Sequence, residues 1–147
     1  MTRSKTAHKP QTVLLIDDEI LWLDLIREAL AGESYNVITA NGGEAALRKL
    51  QRKKPDLIVS DVRMPVINGF DLFEKIKSNP KLRTIPYVFM SSIDDYDARR
   101  TARQLGADDY LEKPFDTEGI KQAVLNLLMK FREKKTAQSK TSNKTIV

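Results

Sequence analysis

Five short apolar runs alternate along the chain with segments of helical periodicity, and this alternation is the strongest constraint on the fold. The runs are rich in aliphatic, aromatic and β-branched side chains and lie at residues 13–16, 35–39, 57–60, 87–90 and 109–111. Three of them are nearly continuous apolar stretches, as expected of strands that are covered on both faces. The alternation predicts βα units around a doubly wound parallel sheet, which is an α/β fold.

The segments that follow these runs predict five helices. In the last one, apolar residues recur at helical spacing from Ile120 to Phe131, and Asp116 is placed to cap its start. The other four helices are predicted at residues 20–31, 43–53, 70–78 and 94–105. In the helix at 94–105, Ala98 and Ala102 form a narrow inward stripe, so its outward face is polar.

Charge is distributed unevenly along the 147 residues. The chain carries +5 overall, but residues 1–11 carry +3 and residues 130–147 carry +5, which leaves −3 for residues 12–129. We therefore predict a flexible basic N-terminal tail at 1–11, one folded domain at 12–131 and a polar, basic C-terminal tail or linker at 132–147. Because the basicity belongs to the tails, nucleic-acid binding is not predicted for this chain.

Several classes of protein are excluded by what the sequence lacks. No apolar run approaches the roughly 20 residues of a membrane span, and the start resembles no signal peptide. There is no cysteine, and neither of the glycine-rich phosphate-binding motifs of nucleotide-binding α/β proteins occurs. The prediction is a cytoplasmic protein without a membrane partner.

Polar residues follow four of the five predicted strands. Acids come after the first and third runs, hydroxyls after the fourth and a lysine after the fifth: Asp17, Asp18 and Glu19; Asp61; Ser91 and Ser92; and Lys113. The carboxyl ends of parallel strands meet at one edge of the sheet, where such folds bind ligands. The sequence therefore predicts one shared site, in which either Ser91 or Ser92 supplies the hydroxyl.

The residue types of this site suit phosphoryl transfer. Clustered carboxylates repel one another unless a cation is present, and a hard divalent ion such as Mg²⁺ takes oxygen ligands. A lysine ammonium adds a second positive charge for phosphoryl oxygens, and a carboxylate can act as the nucleophile. Capping of the following helix would explain Asp17 alone, but it does not explain three acids in a row or Asp61.

Four segments together carry a specific resemblance. They contain the acids after the first strand, the segment from Asp61 to Pro65 with Gly69, the Ile-Pro before the fourth strand with Ser91 after it, and the run from Gly106 to Phe115. In this order they resemble the receiver domain of two-component response regulators, over approximately residues 12–129. The resemblance implies a flavodoxin-like sheet of order 2-1-3-4-5 with five helices.

The resemblance also implies roles for the acids. Asp61 is then the phosphoacceptor, and Mg²⁺ is held by Asp18 and Asp61, by Asp17 either directly or through water, and by the backbone carbonyl of Arg63. Such a chain is a signalling switch that catalyses only its own phosphorylation and dephosphorylation, rather than a metabolic enzyme.

Three further residues receive roles by the same resemblance. Ser91 is the hydroxyl that turns towards the phosphoryl group, Tyr110 is the switch aromatic that moves inward with it, and Lys113 pairs with the phosphate. The result is a changed surface on the fourth helix, fifth strand and fifth helix.

The partners implied are a sensor histidine kinase or a histidine phosphotransfer protein as donor, and a downstream protein or output domain that reads the changed surface. A phosphorylation-dependent dimer is a further option. The last helix has Gly119 and Ala123 where receivers joined to winged-helix domains often have Glu and Arg. The chain is therefore either a stand-alone receiver or the receiver part of a longer regulator.

Two other readings are weighed against this one. A phosphatase or phosphotransferase with a D-x-D aspartate nucleophile needs an acid at the position of Arg63 and leaves Asp17 and Asp18 unexplained. A receiver-like domain that only binds partners needs none of the chemical residues, yet all of them are present.

Overall fold

The computed structural model describes residues 9–113 and 116–146, and for residues 136–146 it describes the backbone alone. In this part of the chain strands and helices alternate strictly. The strands are β1 (Thr12–Asp17), β2 (Asn36–Asn41), β3 (Leu57–Asp61), β4 (Tyr87–Ser92) and β5 (Asp109–Lys113). The helices are α1 (Ile20–Ala29), α2 (Gly43–Leu50), α3 (Gly69–Lys77), α4 (Tyr96–Leu105) and α5 (Thr117–Ile146).

The five strands form one parallel sheet in the order β2-β1-β3-β4-β5, which confirms the predicted fold and strand order. Each strand after the first joins the sheet through a helical connection, as parallel pairing requires. The pairing brings Asp61 at the end of β3 level with Met90 of β4, and Ser92 of β4 level with Lys113 of β5. The carboxyl ends of the strands are therefore aligned along one edge.

Two separate cores cover the two faces of the sheet, because successive strand residues point to opposite sides. Leu14 and Ile16 of β1 are fully buried in a core with residues of α2, α3 and α4. Val13 and Leu15, which alternate with them, are buried in the other core with residues of α1 and α5. Burial of each such side chain contributes about 1.5–3 kcal/mol. The central strands are thus held from both sides, which fixes the positions of their ends.

Every strand runs one or two residues further at its carboxyl end than its apolar run predicts. Asp17, Asp61, Ser91 and Lys113 are consequently strand residues, whereas the sequence pattern places them after the strands. The reason is that the hydrogen-bonded ladder of a sheet joins backbone groups and continues whether the side chains are apolar or not. The polar side chains of the predicted site are therefore mounted on the sheet itself.

The C-terminal helix differs more from expectation. The composition of the last residues favours flexible chain, but the backbone of α5 is helical as far as Ile146. Helix propagation adds one hydrogen bond for each further residue, and Arg, Glu, Lys, Ala and Gln in the first part of this extension are good helix formers. The division of the chain at residues 11 and 131 stays a prediction, and residues 1–8 of the expected N-terminal tail lie outside the described residues. Among the described helices, none has the length and apolarity of a membrane span.

Candidate functional site

Three carboxylates meet at the carboxyl edge of the sheet. Asp17 ends β1 and Asp61 ends β3, while Asp18 is the first residue of the loop after β1. One oxygen from each of these side chains can be chosen so that all three lie within 4.8 Å of one another. Asp17 and Asp61 are buried, and Asp18 is exposed, so the cluster opens to solvent on one side.

Lys113 reaches this cluster from the end of β5. Its Nζ donates a hydrogen bond of 2.8 Å to Oδ2 of Asp17 and lies 3.7 Å from Oδ1 of Asp61. The same ammonium lies 4.9 Å from the ring centroid of Trp22 on α1, within the range of a cation–π contact. Burial alone lowers the pKa of Lys113, but the hydrogen bond that Lys113 donates to Asp17 and the charge of Asp61 outweigh it and raise that pKa overall. The lysine is therefore held as a cation between two carboxylates and an aromatic ring.

The carboxyl of Asp61 has a raised pKa. Burial of its carboxyl, together with the charge of Asp17, raises the pKa of Asp61 to about 6, although Lys113 and the backbone N–H of Val62 partly oppose this. That N–H donates a bond of 2.9 Å to Oδ1 of Asp61. Within the described residues, Oδ2 of Asp61 accepts no hydrogen bond, so one oxygen of this buried carboxylate is available to a ligand.

The donor set fits a hard divalent cation. Carboxylate oxygens are the ligands that Mg²⁺ prefers, and a single lysine does not balance the three negative charges of Asp17, Asp18 and Asp61. Burial is the main reason that the pKa of Asp61 is raised, and the charges of Asp17 and Asp18 add to it. A cation that binds between these oxygens relieves the repulsion and finds an open side at Asp18.

Gly69, at the start of α3, fixes the backbone of Asp61. A Cβ at this position would lie 2.3 Å from the carbonyl oxygen of Asp61, a distance that real Cβ atoms do not adopt. The N–H of Gly69 donates to the carbonyl of Val62, and its own carbonyl accepts from the hydroxyl of Tyr87, both at 2.9 Å. The glycine of the sequence motif is therefore needed for the close approach of α3 to the end of β3.

Among the described residues, no hydrogen bond joins the predicted switch residues Ser91 and Tyr110 to Asp61. Ser91 is buried at the end of β4, and its Oγ donates a bond of 3.1 Å to Oδ2 of Asp95. Ser92 is exposed and donates to Asp94, so strand alternation leaves Ser91 as the inward hydroxyl of the pair.

Tyr110 is half-buried against the core on the α4 side of the sheet. Its hydroxyl is buried and meets the geometry of a hydrogen bond with no group among the described residues. This burial raises the pKa of Tyr110, and the nearby Ser91 partly opposes the rise. The guanidinium of Arg99 lies 5.7 Å from the ring centroid and is also paired with Glu112 of β5. Arg99 thus joins α4 to β5 over the ring.

The side chain of Arg63 pairs with Asp95 and with none of the three clustered carboxylates. Its Nε donates to Oδ2 of Asp95 and its Nη2 donates to Oδ1, both at 2.9 Å, and the two residues are 32 positions apart in the sequence. Asp95 also caps α4, because its Oδ1 accepts from the backbone N–H of Ala98 at 3.2 Å. The hydrogen bonds from Arg63 are the main reason that the pKa of Asp95 is lowered to about 2.

The sequence pattern misses two residues of this region. The sequence pattern puts Asp95 inside the predicted helix at 94–105, although an acid directly before the first turn of a helix is a recognised N-cap signal. Trp22 carries no such signal, because it is one of many apolar residues on α1 and its position over Lys113 depends on how α1 and β5 pack.

Comparison with known proteins agrees with this geometry. A family model described as "Response regulator receiver domain" matches residues 13–125. The probable transcriptional regulatory protein TcrX of Mycobacterium tuberculosis is 36% identical over 113 residues, which is 76% of this chain. The chain spans from 26% to 61% of the length of the curated relatives compared with it, and 47% in this case.

Two solved structures share the fold. The receiver domain of the sensor histidine kinase PA1611 of Pseudomonas aeruginosa PAO1, with a magnesium ion coordinated in its active site cleft, superposes with a TM-score of 0.70 at 26% identity. That match covers 82% of this chain and 98% of the other. The phosphorylated cyanobacterial phytochrome response regulator RcpA gives a TM-score of 0.70 at 27% identity, over 81% of this chain and 91% of the other.

Proposed function

The chain belongs to the response regulator receiver domain family of two-component systems, and we propose that its switch is set by a phosphoryl group carried on Asp61. The observation that carries this proposal is the buried carboxylate of Asp61, held next to Asp17 and Lys113 with Oδ2 available. An isolated buried acid is neutralised by protonation. Asp61 instead lies beside two further carboxylates, which favour a cation, and beside Lys113, which favours an anionic phosphoryl group.

Asp61 acts in this proposal as the nucleophile. Its Oδ2 forms a new bond to phosphorus while the bond between phosphorus and the donor histidine breaks, and the proton that the histidine needs comes from solvent. The hydrogen bond from the N–H of Val62 holds Oδ1, which orients the carboxylate for attack. With a pKa of about 6 before a cation binds, Asp61 is mainly ionised at neutral pH and is competent to attack.

We assign Mg²⁺ to the oxygens of Asp17, Asp18 and Asp61 together with the backbone carbonyl of Arg63. The ion, when bound, neutralises charge on the oxygens of the transferred group. Lys113 then supplies a cation on the other side, and its contact with Asp17 keeps it in reach. The magnesium in the cleft of the P. aeruginosa receiver and the phosphorylated state of RcpA are the comparisons that support this assignment.

The consequence of phosphorylation is a change in the surface formed by α4, β5 and α5. Ser91 is proposed to turn towards the phosphoryl group, where it gains a charge-assisted hydrogen bond, and Tyr110 to move inward into the space it leaves. The hydroxyl of Tyr110 is buried and makes no hydrogen bond within the described part of the chain, and this supports the step because such a group is in an unfavourable position. The donor is a histidine kinase or phosphotransfer protein, and a partner or output domain reads the surface.

The test is phosphorylation by a small acyl phosphate. Incubation with acetyl phosphate and Mg²⁺, followed by intact-mass measurement, is expected to add one phosphoryl group to the wild-type chain. Asp61→Asn and chelation of the metal are expected to abolish the gain, whereas Asp71→Asn, an exposed acid in the first turn of α3, leaves it intact. A gain that persists in Asp61→Asn contradicts the assignment, and no gain in the wild type leaves a receiver-like domain that only binds partners.

A further inference from the structure

We propose that the ion pair of Arg63 and Asp95 forms a latch, which holds the hydroxyl of Ser91 in the unphosphorylated protein. The latch thereby limits the rate at which Asp61 is phosphorylated. Asp95 is in this view a positioning residue for Ser91, and Arg63 positions Asp95. The latch rests on the proposed phosphorylation of Asp61, because its effect is measured on that reaction. It is a property of the loop after β3 and the first turn of α4, outside the carboxylate cluster.

The carboxylate of Asp95 accepts four hydrogen bonds. Its Oδ2 accepts from Nε of Arg63 at 2.9 Å and from Oγ of Ser91 at 3.1 Å. Its Oδ1 accepts from Nη2 of Arg63 at 2.9 Å and from the N–H of Ala98 at 3.2 Å. A carboxylate offers about four acceptor positions, so three parts of the chain meet on one side chain. The two-point pairing with Arg63 fixes its orientation as well as its charge.

Ser91 cannot serve two acceptors at once. A serine hydroxyl has one proton to donate, and here that proton goes to Asp95 rather than towards Asp61. For Ser91 to bond a phosphoryl group on Asp61, its bond to Asp95 has to break first. Any contact that strengthens the hold of Asp95 therefore favours the unphosphorylated conformation.

Arg63 connects the latch to the reacting residue. It lies two positions after Asp61, and its guanidinium bridges the loop after β3 to the start of α4. The Arg63 side chain is 64% exposed, so its guanidinium can be released into water, while the Asp95 side chain, which is 17% exposed, keeps its hydrogen bond from the N–H of Ala98. A link of this kind resists opening only modestly, which suits an element that must open whenever the protein is phosphorylated.

A purely structural reading of Asp95 is that it caps α4, and the variants are chosen to separate the two. Asp95→Asn keeps a side-chain oxygen for the N–H of Ala98 but cannot accept both bonds from Arg63. Arg63→Ala leaves the cap and the backbone carbonyl of residue 63 in place. Arg27→Ala is the matched control, because it removes the same charge from an exposed ion pair with Asp24 on α1.

The experiment measures the rate of phosphorylation by acetyl phosphate in Mg²⁺. Arg63→Ala and Asp95→Asn are expected to raise the rate about two- to fivefold, the size of effect expected from an exposed bidentate ion pair. The double variant is expected to be no faster than either single one, since both break the same latch. Arg27→Ala is expected to match the wild type.

The decisive arm repeats Arg63→Ala in a Ser91→Ala background. If the latch acts through Ser91, the gain disappears there, whereas a general effect of lost charge near Asp61 persists and overturns the proposal. An unchanged or lower rate in both Arg63→Ala and Asp95→Asn also overturns it.

A second measurement does not depend on phosphorylation. In the metal-free protein, Arg63→Ala is expected to shift the amide NMR resonances of Ser91 and Ala98, and Arg27→Ala is not. If these shifts occur but the wild type accepts no phosphoryl group, the proposed function fails while the latch stands as a contact. If the shifts are absent, the latch does not exist in solution.

Discussion

The two sides of the site are built in different ways. On the carboxylate side, formed by Asp17, Asp61 and Lys113, every side chain projects from the end of a strand, and the Asp17 side chain is fully buried. On the switch side, formed by Arg63, Ser91 and Asp95, two of the three lie in loops, and the Arg63 side chain is 64% exposed. The sheet therefore fixes the groups that bind charge, while loop contacts control the groups that move.

Under the proposed function, this difference lets one small domain both hold the groups that accept a phosphoryl group and move the groups that report it. Groups that stabilise a transferred phosphoryl group must be in place beforehand, because reorganising them during the reaction adds to the barrier. Groups that report phosphorylation must have two positions of similar free energy. Strand positions provide the first property, and the loop positions of Arg63 and Asp95 provide the second.

The largest expected effect that tests this contrast comes from removing the lysine. Lys113→Met leaves the buried carboxylates of Asp17 and Asp61 without their cation, and we expect the free energy of unfolding to fall by about 3–4 kcal/mol at pH 7.5 in metal-free buffer. Urea unfolding measures it. A loss below 1 kcal/mol would show that the carboxylate side is no more preorganised than the switch side.

The next effect concerns the pH dependence of stability. Because the pKa of Asp61 is about 6 in the folded protein against an ordinary value near 4, its charge destabilises the metal-free fold above pH 6, and this penalty fades as the pH falls towards 4. Asp61→Asn does not titrate, so we expect it to be more stable than the wild type by about 2–3 kcal/mol at pH 7.5 and equal to it below about pH 4.

The measurement is urea unfolding of both proteins across this pH range with a chelator present. Adding Mg²⁺ is expected to stabilise the wild type and not Asp61→Asn. A stability difference that does not change with pH would mean that the carboxylate side is less strained than its burial indicates.

The smallest effect belongs to the switch side. Arg63→Ala removes the ion pair with Asp95, but the lost guanidinium was 64% exposed and Asp95 keeps its bonds from Ser91 and from the N–H of Ala98, so we expect a loss of less than 1 kcal/mol in the free energy of unfolding. Thermal unfolding, compared with Arg27→Ala, measures it. A loss as large as that of Lys113→Met would remove the contrast between the two sides.

The sequence predicts the carboxylate side well for the same physical reason. Strand ends are recognisable from apolar runs, and parallel strands necessarily bring their carboxyl ends together, so Asp17, Asp61 and Lys113 converge whatever their other neighbours are. Their convergence in the structure agrees with that prediction, whereas their chemical roles stay a proposal. The choice between Ser91 and Ser92 was beyond the sequence pattern, because it depends on a strand boundary that the pattern misses by two residues.

The switch side was predicted less completely. That Ser91 would be a polar residue at the sheet edge follows from the pattern, but its bond to Asp95 does not, because it depends on side-chain directions in a loop. The pairing of Arg63 with Asp95 joins residues 32 apart whose positions are set only when α4 packs on the sheet. No local periodicity encodes such a contact.

Trp22 gives the carboxylate side one more property. It is the only tryptophan in the chain, and its ring lies 4.9 Å from the ammonium of Lys113. Indole emission is sensitive to nearby charge, so the tryptophan fluorescence of the unlabelled protein reports on the charges around Lys113. A ligand that moves Lys113 away from the ring changes the emission intensity of Trp22. The protein therefore contains an intrinsic probe with which binding at this site can be followed in real time.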